Sequence, residues 1–202
     1  MDFMHLHVIR HGETLANIEK RYLGTLDAPL TERGRQQAQA LTTQLPETID
    51  AIVVSPRLRA QQTAEILSAG LNIPLQTLDC FAERNVGVFE GLTQAQAKDQ
   101  YPQLWSQNIT RHWDAAPTGG ESIAEVVSRV RDGLIELAAR HSTDTVVLVA
   151  HGFVAKVIRA LEKEDFSDFF EWQLSNGSVL VLENFRTPTS TIDRLKSSMP
   201  VS

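Results

Sequence analysis

A chain of 202 residues, 42% of them hydrophobic, has the size and composition of one domain with a substantial core, residues 1–202. Its formal net charge of −6 excludes the broad electrostatic footprint of a nucleic-acid or acidic-membrane binder, so any anion site must be local. The lone Cys80 excludes an intrachain disulfide and a multi-cysteine metal centre. It fits a reducing compartment, and Asp2 stands where a secretory leader would be basic; with no apolar run long enough for a membrane span, the expected location is cytoplasmic.

The first predicted strand, Leu6, Val8 and Ile9, ends at Arg10-His11-Gly12-Glu13, and a polar loop runs on to Pro29. Thr31 then caps a helix whose Ala38, Leu41 and Leu45 share one face. Residues 51–54 form a short β-branched strand, and Ser55-Pro56 is expected to open a second helix that Gly70 closes. A weaker strand follows at 75–78. The stretch 93–101 predicts a short helix ended by Pro102, and 105–120 is expected to be mostly irregular.

Ser122 and Glu125 make a capping box, and Ile123, Val126, Val130, Leu134 and Leu137 carry an amphipathic stripe to about Arg140. A strand at 145–149 precedes His151-Gly152 and a helix over 153–161. Residues 178–182 form another strand, 192–195 are expected to return as an edge strand, and a polar tail follows the regular core of about 5–183. Strands alternating with helices imply a three-layer α/β/α sandwich around a mainly parallel sheet, with one antiparallel edge strand.

In such a sheet ligands bind outside the carboxyl ends of the strands, where both His-Gly pairs fall. Residues at predicted strand ends or first helical turns supply two fixed cations, Arg10 and Arg59, two imidazoles, His11 and His151, and one carboxylate, Glu83. Guanidinium forks match the oxygens of a phosphate monoester bidentately. Neutral His11 can attack phosphorus, His151 can donate to a non-bridging oxygen, and Glu83 can protonate the leaving alkoxide and then activate water. The cationic side chains take the charge-neutralising role of a metal, so no metal or other cofactor is required.

Arg10-His11-Gly12-Glu13-Thr14, with Asn17, Gly24, Asp27, Pro29-Leu30-Thr31 and Gly34, resembles the opening of the histidine phosphatase superfamily in its phosphoglycerate-mutase-like branch. The resemblance continues in Ser55-Pro56-Arg57-Leu58-Arg59-Ala60, Thr63-Ala64, Glu83, Gly87, Glu90-Gly91, Gly120-Glu121-Ser122, His151-Gly152 and Asn176-Gly177-Ser178. It implies that His11 is the phosphorylated nucleophile, that Arg10, Arg59 and His151 form the phosphate pocket, and that Glu83 is the proton donor. It also adds Asn17 as a phosphate contact. Asp79, Glu90 and Glu121 are the other carboxylates that compete with Glu83 for the acid's role.

Between Gly91 and Gly119 the only basic residues are Lys98, Arg111 and His112, and Gly87 to Gly91 has a Gly-x-aromatic-Glu-Gly ending similar to the phosphatase branch. The expected activity is therefore a metal-independent phosphomonoesterase that releases inorganic phosphate from a small-molecule ester. A mutase-type phosphotransferase and a non-catalytic phospholigand-binding module are the competing readings. The resemblance allows sugar phosphates, phosphoserine, α-ribazole phosphate or a broad range of monoesters as substrates. His5 and His7 have a metal-ligand spacing on one strand face but no acidic cluster beside them in sequence. Trp105, His112 and Trp113 are read as pocket lining or as packing, and Phe166, Phe169 and Phe170 as core or as the contact of a homodimer.

Overall fold

The computed structural model describes residues 3–200. Strands β1 (Met4–Arg10), β2 (Ala51–Val54), β3 (Leu75–Thr77), β4 (Thr145–Ala150) and β5 (Val179–Phe185) form one sheet in the order β3-β2-β4-β1-β5. The first four are mutually parallel, and β5 closes the β1 edge antiparallel. The helices are α1 (Leu15–Ile18), α2 (Glu32–Leu41), α3 (Leu58–Ser68), α4 (Gln94–Gln100), α5 (Pro102–Ser106), α6 (Ile123–Arg140), α7 (Gly152–Lys163) and α8 (Ile192–Ser197).

Side-chain alternation along the strands makes two cores. Met4, Leu6 and Val8 join Val146 and Leu148 beneath α6 and α7, whose Val130, Leu134, Val154 and Ile158 are fully buried. Ile9, Val147 and Val149 face the opposite way, against Leu41 of α2 and Ala60, Ala64 and Leu67 of α3. Fully burying one such side chain contributes roughly 1.5–3 kcal/mol, so both helical layers are held chiefly by these faces. Their caps fix where they begin. Thr31 Oγ1 accepts from Gly34 N–H at 3.0 Å, and the Ser122–Glu125 box closes with Ser122 N–H donating to Glu125 Oε2 at 2.7 Å.

Three local expectations are corrected. Ser55-Pro56 does not open α3, which starts at Leu58 with Arg57 as its N-cap. Ser55 N–H instead extends the ladder by donating to Val149 O at 3.0 Å, so the chain is still leaving the sheet there. Pro102 does end α4, and it also occupies the first turn of α5, giving regular structure as far as Ser106. Residues 192–195 belong to α8 rather than to an edge strand, with Thr191 Oγ1 accepting from Arg194 N–H. Ile192, Leu195 and Met199 lie at helical spacing and pack onto the main core, so the C-terminal segment is docked.

Candidate active site

Parallel register brings the site together. Arg10 pairs with Ala150 and Val54 with Val149, so the residues that follow β2, β4 and β1, namely Ser55, His151 and His11, stand side by side at the carboxyl edge. His11 N–H donates to Ala150 O at 3.1 Å, and the two imidazole rings sit edge to face with centroids 5.2 Å apart. Behind them the turn after β1 is tied down from the far edge. Gly177, with φ +63°, donates its N–H to Arg10 O at 3.1 Å and His11 O at 3.2 Å. A residue with a Cβ would be strained in that conformation.

The ring nitrogens have unlike partners. His11 Nδ1 lies 2.7 Å from Gly12 O, a carbonyl that can only accept, so that nitrogen carries the proton and Nε2 keeps its lone pair. Arg59 Nε–H donates to that lone pair at 3.2 Å. His151 Nε2 lies 2.6 Å from Ser55 Oγ, which also accepts from Arg57 N–H at 3.3 Å. When that hydroxyl donates to Nε2, the proton of neutral His151 sits on Nδ1, which is buried without a hydrogen-bond partner among the described residues. Burial, and next the Arg59 charge, hold both imidazole pKa values well below 6.5, so both rings are neutral at neutral pH.

Arg59 is fully buried, unlike half-buried Arg57. Its NH1 donates to Leu26 O at 3.0 Å and its NH2 to Gly24 O at 3.1 Å, so the loop after α1 wraps the guanidinium with carbonyls. Burial lowers its pKa to about 10, which still leaves it cationic at neutral pH. Arg10 donates from NH1 to Leu174 O at 2.6 Å, while its Nε has no partner among the described residues. A Cβ at Gly152 would lie 3.2 Å from Arg10 Cζ. The glycine after His151 thus makes room for the arginine before His11.

Glu83 Oε1 accepts from Arg84 N–H at 2.9 Å, and Oε2 accepts from Phe153 N–H at 3.3 Å in the first turn of α7. The competing carboxylates are engaged elsewhere or stand at the surface. Glu90 clasps Gly24 N–H and Thr25 N–H at 3.0 and 2.7 Å, Glu121 is paired bidentately with Arg129, and Asp79 is exposed. Asn17 caps its own helix: its Oδ1 accepts from Thr14 N–H at 3.0 Å and from Asn176 Nδ2 at 3.2 Å. That fixes the carboxamide and leaves Nδ2 as its free donor.

Arg10, His11, Asn17 and Glu83 border a cleft of about 400 Å³, joined by Arg84, Arg111, Phe153, Lys156 and Phe170, while Arg59 and His151 are buried against His11 rather than in its walls. Arg84 is buried, donates to Glu121 O and Thr110 O at 2.8 and 2.7 Å, and lies over the Phe153 ring. Burial lowers its pKa to about 10. Of the other aromatic expectations, Trp113 packs in the core, Trp105 borders a separate cavity of about 280 Å³, and His112 is exposed. Phe166 and Phe169 are core, whereas Phe170 is a wall of the cleft. His5 and His7 alternate with the α6–α7 core and share the parity of Ile9. They therefore face the α2–α3 layer, away from the site.

Sequence reasoning gave no role to Ser55, Asn176, Arg84 or Lys156. Asn176 Nδ2 also donates to His11 O at 3.1 Å, and its place in the Asn176-Gly177-Ser178 motif of the resemblance was the signal for it.

Comparison with known proteins identifies the family. Residues 6–195 match the sequence model of the histidine phosphatase superfamily (branch 1). Phosphoserine phosphatase 1 of Hydrogenobacter thermophilus is 32% identical over 179 residues, 88% of this chain and 85% of that protein. The structure of Bacillus stearothermophilus YhfR superposes with a TM-score of 0.83 at 31% identity, covering 91% of this chain and 95% of that one. Mycobacterial glucosyl-3-phosphoglycerate phosphatase Rv2419c, solved with VO3, superposes with a TM-score of 0.79 at 32% identity over 89% and 92% of the two chains. The family match, the fold and these relatives agree that the chain belongs to branch 1 of the histidine phosphatase superfamily and is a phosphatase.

Proposed function

We propose that the protein hydrolyses small phosphomonoesters through a phosphohistidine on His11, without a metal. The observation that carries this reading is the hydrogen bond from His11 Nδ1–H to Gly12 O, which leaves Nε2 unprotonated; its lone pair accepts from Arg59 Nε–H until the phosphoryl oxygens take that donor over. The phosphoryl group comes to rest among the Arg59 guanidinium, the Arg10 Nε–H, the Asn17 Nδ2 donors and the His151 Nδ1–H. Preorganised donors of this kind stabilise the charge spread over the equatorial oxygens during transfer.

Nε2 forms a bond to phosphorus as the P–O bond to the leaving group breaks. Glu83 supplies the proton that converts the alkoxide to an alcohol. The same carboxylate, now ionised, takes a proton from water. The resulting hydroxide attacks the phosphohistidine, releasing inorganic phosphate and restoring His11. Arg10 and Arg59 carry the positive charge that a metal would otherwise bring.

Turnover of an aryl phosphate in excess chelator tests the reading. The expected outcome is steady phosphate release that His11→Ala abolishes, and undiminished hydrolysis by that variant refutes it. With a phosphoglycerate, the expected product is inorganic phosphate rather than the isomer with the phosphoryl group moved to the other hydroxyl. Glu83→Gln should slow alkyl esters by roughly 100-fold or more and activated aryl esters far less, because only the poor leaving group needs the proton. Equal losses for both ester types would remove Glu83 from the acid's role.

A further inference from the structure

Glu83 sits in a stretch, residues 82–86, that is neither helix nor strand, so no regular backbone pattern fixes where its carboxyl stands. Around it the carbonyls of Cys80, Ala82 and Glu83 accept no backbone N–H among the described residues. All three instead meet one side chain. Arg129 of α6 donates from NH1 to Cys80 O and Ala82 O, each at 2.8 Å, and from NH2 to Glu83 O at 3.4 Å. Its Nε and NH2 also donate to Glu121 Oε1 and Oε2 at 2.8 and 3.0 Å. All the N–H groups of the guanidinium are thereby engaged.

The partner carboxylate grips the chain on the other side of Glu83. Glu121 Oε2 accepts from Asn85 N–H at 2.8 Å, Glu121 N–H donates to Asn85 O at 2.8 Å, and Glu121 O accepts from Arg84 Nε at 2.8 Å. Burial opposes its charge, but the hydrogen bonds from Arg129 and Asn85 hold the Glu121 carboxyl below its ordinary range, so it is ionised at neutral pH. The helix that carries Arg129 is itself fixed, with Val126, Val127 and Val130 fully buried in the core. One turn further on, a Cβ at Gly133 would lie 2.5 Å from Cys80 Sγ, so a residue without one lets the turn at 79–81 press against α6. Arg129 itself does not border the cleft.

We propose that Arg129 is the positioning residue of the proton donor: its guanidinium fork, by holding the carbonyls of residues 80, 82 and 83, sets where the Glu83 carboxyl stands in the cleft. This rests on the reading of Glu83 as the acid and adds the group that places it. A general acid works only within hydrogen-bond reach of the departing oxygen, and a misplacement of about 1 Å can cost about 100-fold in rate. The fork is what the task needs. A lysine presents its donors from a single nitrogen and cannot span three carbonyls and a carboxylate at once.

The test compares kcat/KM for an alkyl and an activated aryl phosphate, a quantity that covers the steps up to departure of the leaving group. Arg129→Lys keeps a charge facing Glu121 and an aliphatic stem but loses the fork. The expected result is an alkyl-to-aryl ratio of kcat/KM at least about fivefold below wild type, with the aryl value changed far less, and a larger fall in Arg129→Met. In a Glu83→Gln background neither substitution should lower the ratio again, because the group that Arg129 places is already gone. Loss of folded protein scales both esters alike and cancels in the ratio, so a merely structural role does not imitate the effect. A ratio unchanged in Arg129→Lys, or an equal further fall when either substitution is added to Glu83→Gln, overturns the proposal. If Glu83→Gln alone lowers the ratio, only the positioning role fails; if it does not, the assignment of the acid fails as well.

Discussion

His11 and His151 have the same local sequence, a strand end followed by glycine, yet the partners of their ring nitrogens make them unlike. One is bound at Nδ1 by its own neighbour's carbonyl, the other at Nε2 by a serine from the next strand. Ser55→Ala should therefore lower kcat about tenfold, the worth of roughly one orienting hydrogen bond, with little change in fold. A variant with wild-type kcat would show that His151 needs no such orientation. Arg10, His11, Arg59, Glu83 and His151 were legible in the sequence because strand ends and motif spacing mark them. Ser55 and Arg129 were not, since a serine before proline and an arginine on an amphipathic helix have ordinary local explanations. Their significance comes from neighbours far away in the chain.

Among the elements, the contact between the loop after β1 and the first turn of α2 holds the His11 loop in place. A Cβ on Gly34 would lie 2.2 Å from Glu13 O, and one on Gly12 would lie 2.2 Å from Gly34 O. No flexible side chain absorbs that clash, so Gly34→Ala should cost about 3 kcal/mol and most of the activity. Urea unfolding measures it, and an unchanged midpoint would mean that the two backbones can separate freely. Long elements such as α6 were legible because a cap and a sustained apolar stripe agree. The segment 192–195 was misread because four residues cannot distinguish a period of 2 from one of 3.6; the Thr191 cap and the contacts of Ile192 and Leu195 decide it. Similarly, the first turn of α3 was placed too early because Ser-Pro reads locally as a cap, whereas tertiary pairing uses Ser55 as the end of a strand.

Across the whole molecule, a net charge of −6 coexists with a cationic cleft, because the acids stand mainly away from the site. Burying two neutral imidazoles there ties stability to pH. Burial first and Arg59 second hold both folded pKa values well below the unfolded 6.5. Between those values the unfolded chain binds more protons than the folded one. The two histidines thus leave stability unaffected above 6.5 and erode it as pH falls below, by up to about 1.4 kcal/mol per pH unit for each ring. Urea unfolding at about pH 7.5 and about pH 5.5 should show the loss, and His151→Asn should reduce it. A slope unchanged in that variant would place the proton uptake elsewhere. The layered architecture was legible from the alternation of strands and helices, and the cleft's excess of cations was not, since it depends on how α7 and residues 109–111 meet.

The central claim is that His11 Nε2 carries the phosphoryl group. It is tested most directly by rapid acid-free quenching of Glu83→Gln with an aryl phosphate, followed by peptide mapping and phosphorus NMR of the trapped protein. The account predicts one alkali-stable phosphoryl group on Nε2 of His11, absent from the His11→Ala protein. A phosphoryl group on Nδ1 or on another residue, or turnover with no phosphoenzyme at all, would contradict it.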